Sequence, residues 1–176
     1  MDWQLLGFSG LKEVFNLHPV FVHFPIALFP AALLFFFLGL WRNSRQWLAS
    51  ARLLLYLAAL SGILTVWTGL RAPATIPHNE IIHRMIMTHQ TIGLVVLGLA
   101  IVLTLWSFWQ TEHRPKAAWV FLAVLGLTSL LLLQNGDLGS RMVYVQGAAV
   151  KPAIPIIAPK EGREQPQHHH EHNHPH

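Results

Sequence analysis

The chain contains no cysteine, which excludes disulfides, iron–sulfur ligation and a thiol nucleophile. Histidine, present 12 times, is then the residue type best suited to hold a metal or a metal-bearing cofactor. Charge is also scarce. Only 11% of the 176 residues are charged against 53% hydrophobic, the balance of a small polytopic membrane protein with one domain. The formal net charge of +4 is scattered over connections and tail without forming a basic stripe, so no nucleic-acid partner is expected. Met1, Asp2 and Trp3 lack a basic n-region, and the first long apolar run begins only near residue 19, so no cleavable signal peptide is expected. The sequence shows no nucleophile–base–orienter set, phosphate loop or carboxylate pair, and the chain reads as no enzyme on its own.

What is present is a set of four long apolar runs, at about residues 19–41, 51–70, 87–109 and 117–135. At about 1.5 Å per residue, runs of this length cross the roughly 30 Å hydrocarbon core of a bilayer. Backbone polar groups cannot stay unpaired in lipid, so the runs are expected to be helices. The expected fold class is all-α: a polytopic membrane protein with four transmembrane helices in a bundle and both termini on the same side. Residues 17–150 form this domain. Residues 1–16, with Trp3, Leu5, Leu6 and Phe8, read as an interfacial segment, and 151–176 as a disordered tail rich in proline and histidine. Pro30 is expected to bend the first helix and free a carbonyl for a neighbouring group. Ser61, Gly62, Thr65, Thr68, Gly69, Gly93, Gly98, Gly126, Thr128 and Ser129 read as positions of close helix contact.

Orientation rests on loop charge. Each side carries five Lys or Arg near the membrane, but Arg42, Arg45 and Arg52 crowd one short connection without an acid, which favours that side as cytoplasmic and the termini as periplasmic. Trp41, Trp47, Trp106, Trp109 and Trp119 then form a cytoplasmic aromatic belt, with Trp67 near the opposite rim.

This topology gathers most of the unusual polar residues at the outward face. His18 and His23 open the first helix. Arg71, His78, Glu80, His83, Arg84 and His89 occupy the second connection and the start of the third helix, and Asn135, Asp137 and Arg141 follow the fourth. Ionisable groups at membrane depth are sites by default, although a rim histidine can also rest in the headgroup layer. Two neutral imidazoles from different helices are a common way to hold b-type haem in a bundle. His23 and His89 are the best pair on depth, with His18 and His83 as alternates or hydrogen-bonding supports. His18 and His23 lie five apart, about 140° round a helix, and are not expected to share one ion. A smaller metal site and purely structural histidines stay open as alternatives. In the tail, His168, His169, His170, His172, His174 and His176 are suited to a divalent transition metal; the interruptions by Glu171, Asn173 and Pro175 favour a natural metal-binding tail over an expression tag.

The opening Leu17-His18-Pro19-Val20-Phe21-Val22-His23-Phe24-Pro25 resembles the His-Pro-x-x-Val-His-Phe-Pro entry of an uncharacterised family of small four-helix bacterial inner-membrane proteins, a domain-of-unknown-function group. The resemblance covers roughly residues 16–150. The end, from Gly136 to Val150, is similar to the group's closing pattern, with Gln146 where a histidine is common and Ser140 in place of the second glycine. Thr88-His89-Gln90-Thr91-Ile92-Gly93 resembles the third helix of members joined to cytochrome c-like domains, which implies a redox setting and a bacterial inner-membrane location. The leading expectation is therefore haem-dependent electron transfer within a respiratory assembly, with the lipid bilayer and cytochrome or quinone-linked proteins as partners. The alternatives are metal-ion handling that uses the histidine-rich tail, and a structural subunit of a membrane complex.

Overall fold

The computed structural model describes residues 16–76, 79–110 and 117–150. The segment 1–15, the tail from 151 with its histidines, and His78 lie outside the described residues. Four helices dominate: α1 (His18–Trp41), α2 (Arg45–Arg71), α3 (Glu80–Phe108) and α4 (Ala118–Tyr144). The shortest, α1, has 24 residues and reaches about 36 Å, enough to cross the apolar core. The chain is a multi-pass membrane protein.

Helix ends depart from the apolar runs for local reasons. Hydropathy places the third helix from residue 87, yet α3 begins at Glu80. The Asn79 side chain accepts the Ile82 N–H at 2.9 Å, and Glu80 sits in the first turn where the helix dipole favours an acid. His83 and Arg84 are consequently helical. In the same way α4 continues past residue 135 to Tyr144, so Asn135, Asp137 and Arg141 are helical instead of following the helix. Apolar runs mark what lipid can cover, whereas capping and tertiary contacts set where the backbone stops.

Within α1 the regular pattern is interrupted only at Val22, which keeps right-handed helical angles and donates its N–H to the His18 carbonyl at 3.1 Å. Pro25 has no N–H to give the Phe21 carbonyl. Thr65 of α2 supplies the missing donor through its hydroxyl at 3.1 Å, locking the start of α1 onto α2. Pro30, where the sequence also points to a bend, lies inside the helix, which continues through it.

α1 and α3 each pack on both α2 and α4, which places α1 and α3 diagonally across the bundle axis. The interior follows a three-four spacing: Pro25, Phe29, Ala32 and Phe36 in α1, and Phe121, Leu125, Thr128, Leu132 and Asn135 in α4. Alternating large and small residues interlock the layers. Phe121 lies 4.8 Å from Phe36 and 5.4 Å from Trp106, centroid to centroid. Thr128 and Ser129 turn their hydroxyls back onto the carbonyls of Val124 and Leu125, so these two buried donors are satisfied within their own helix. The outer surface is apolar, with Leu53, Leu57, Leu60, Ile63 and Leu94 exposed to where lipid would be. Trp41, Trp109 and Trp119 are exposed at one end of the bundle. At the other, Arg71 holds its guanidinium 3.9 Å above the Trp67 ring, an arrangement suited to the headgroup layer.

Candidate functional site

His18, Thr65, His89, Gln90 and Asn135 come together at the end of the bundle where α1 and α3 begin and α2 and α4 finish. His18, the first residue of α1, projects toward α2, and its Nδ1 donates to the Thr65 carbonyl at 3.0 Å. His89 of α3 projects toward α4 and donates from Nδ1 to the Asn135 carbonyl at 3.1 Å. A carbonyl can only accept, so each neutral ring carries its proton on Nδ1 and keeps a lone pair on Nε2. Among the described residues neither Nε2 has a hydrogen-bond partner.

The two rings meet across the bundle. Their centroids are 5.9 Å apart and their planes stand at 89°. Each ring lies over a glycine: Gly69 is against Cε1 of His18, and Gly139 is against Cε1 of His89. Gln90, next to His89, spans from α3 to the Gly69 carbonyl at 3.4 Å. A cavity of about 430 Å³ opens at the rings, walled mainly by apolar groups such as Ile26, Val66, Leu132 and Val143. Asn135 is only 7% exposed, and its Oδ1 has no hydrogen-bond partner among the described residues. Thr65 secures the arrangement, since its hydroxyl bonds the carbonyls of Phe21 and Ser61 while its own carbonyl holds His18.

The ring that faces His89 is therefore that of His18. His23 borders the cavity but is exposed, five residues round the helix from His18. His83 is exposed on the first turn of α3 and does not line the cavity. The tail histidines His168, His169, His170, His172, His174 and His176 lie outside the described residues. No cluster of three or more His, Asp or Glu side chains placed to hold an ion occurs among the described residues. Sequence reasoning read Thr65 and Gly69 as packing positions and did not single out Gly139; the structure sets all three against the imidazoles. The signal for them was the three-four interior spacing, on which Thr65, Gly69, Asn135 and Gly139 all fall.

Chemically, the site offers two fixed imidazole lone pairs in an apolar chamber at one end of a membrane bundle. A family model described as "Predicted membrane protein (DUF2231)" matches residues 14–152. No curated protein and no solved structure matches the chain.

Proposed function

We propose, for a chain that belongs to the DUF2231 family of predicted membrane proteins, that His18 and His89 would hold a b-type haem. The protein is then an electron-transfer component of a bacterial inner membrane, with its site toward the periplasmic face. The observation that carries this reading is the pairing of the two Nδ1-anchored rings from diagonal helices, 5.9 Å apart.

With their centroids 5.9 Å apart, the two rings are close enough for one bound group to draw on both, and the count of donors favours haem. A bare zinc or copper ion in a structural or catalytic site draws on three or four protein ligands. A haem brings four nitrogens of its own and asks the protein for two. The cavity is within the roughly 300–1,000 Å³ of ordinary cofactor sites. The carbonyls of Thr65 and Asn135 fix tautomer and ring orientation, as outer hydrogen bonds do at metal-ligating histidines.

The test is an absorption spectrum of detergent-purified protein lacking residues 168–176, so that tail imidazoles cannot capture haem. Expression under haem-replete conditions should give a Soret band and, on dithionite reduction, sharp α and β bands. A featureless spectrum overturns the assignment.

A further inference from the structure

Around the imidazoles the two halves of the chain repeat each other. In the hairpin α1–α2, His18 reaches the Thr65 carbonyl across 47 residues and lays its Cε1 edge over Gly69, one turn further along α2. In the hairpin α3–α4, His89 reaches the Asn135 carbonyl across 46 residues and lays its Cε1 edge over Gly139, again one turn further along. Thr65, Gly69 and Arg71 recur with the same spacing as Asn135, Gly139 and Arg141, and α2 and α4 each have 27 residues. With α1 and α3 diagonal, a half-turn about the bundle axis brings α1 onto α3 and α2 onto α4. This is the arrangement of a parallel repeat whose axis runs along the membrane normal.

The glycines are specific to this role. A Cβ on Gly69 would stand 2.8 Å from Cε1 and 3.0 Å from Nδ1 of His18, and one on Gly139 would stand 3.2 Å from Cε1 of His89. Either substitution requires the ring to shift, by a few tenths of an ångström at Gly139 and more at Gly69, which strains its hydrogen bond to the orienting carbonyl. Gly98 has nothing within 4 Å of the corresponding position, so an alanine there is accommodated.

We infer that the chain is an internal duplication whose two hairpins supply equivalent half-sites, with Gly69 and Gly139 as their positioning residues and the bound metal on the axis between them. The duplication stands on the geometry alone; the identity of the metal centre rests on the haem reading. Two equivalent half-sites would each give a bound haem one imidazole, from His18 and His89, leaving no ligand position vacant, so the group would serve electron transfer and would not take up small diatomic ligands.

Carbon monoxide and histidine NMR test this on protein lacking residues 168–176, as in the haem spectrum. Reduced wild-type protein and Gly98→Ala should be unchanged by CO, whereas Gly69→Ala and Gly139→Ala should each form a CO adduct as one imidazole is released. In ¹⁵N-histidine-labelled protein, Gly69→Ala should shift the ring signals of His18 and Gly139→Ala those of His89, with or without haem. CO binding by the wild type, or ring shifts from only one of the two variants, overturns the inference. Ring shifts of the expected kind in a protein that never acquires a Soret band uphold the paired half-sites and reject haem. Should Gly69→Ala fail to accumulate, the wild-type spectrum still decides: both rings must show the Nδ1-protonated tautomer, and a difference between them refutes equivalence.

Discussion

His18→Ala and His89→Ala should each lower haem occupancy by about tenfold or more, while His23→Ala leaves it near the wild-type level. Loss of an outer hydrogen bond to a metal-ligating histidine typically costs about 10–100-fold in affinity, and deleting the ligand itself removes the bond as well as its support. The two rings are tied to different helices, so neither can replace the other: His18 is held by the Thr65 carbonyl and His89 by that of Asn135. His23 is exposed, and five residues place it on another side of α1. The ratio of Soret to protein absorbance in the three variants is the measurement. Equal loss in His23→Ala and His18→Ala would show that the ring nearest His89 in the structure is not the ligand.

Phe121→Ala should destabilise the bundle by about 3 kcal/mol, the usual scale for deleting a buried aromatic ring. Phe121 is 1% exposed and touches Phe36 of α1 and Trp106 of α3, so its ring joins three helices at one level. Lipid tails are as apolar as the core, so the loss comes from packing and not from transfer to water. Unfolding by sodium dodecyl sulfate in mixed micelles reads it. The site lies at the other end of the bundle, and haem content per folded protein should stay near that of the wild type. A Phe121→Ala protein as stable as the wild type would mean that this layer is less closely packed than its distances indicate.

The four spans were legible because their lengths and composition leave lipid-buried backbone no alternative to the helix. The ends of the helices were not. Hydropathy stops where polar residues begin, but Asn79 caps α3 well before that point, and α4 holds its helix through Asp137 and Arg141 to Tyr144. His89 stood out as an ionisable group in an apolar segment. Its partner was read by depth as His23, whereas the helical phase favours His18. The interior stripe of α1 runs through Pro25, Phe29, Ala32 and Phe36, and His18 lies two turns before Pro25 on that stripe. Gly69 looked like a helix-contact glycine, and only the tertiary register shows that what it admits is an imidazole. The pairing of Gly69 with Gly139 was hidden for the same reason, because two short polar patterns at helix ends carry little weight until the rings that lie on them are seen.

Under the proposed reading His18 and His89 would hold one haem iron with their ring planes crossed. Electron paramagnetic resonance of the oxidised, tail-deleted protein at low temperature reads that geometry directly. Perpendicular axial rings leave the two π-type iron orbitals nearly equal in energy, so the 89° angle between His18 and His89 should give a single, strongly anisotropic low-spin signal. A high-spin signal, a rhombic signal of the kind parallel rings produce, or no haem signal at all would contradict it.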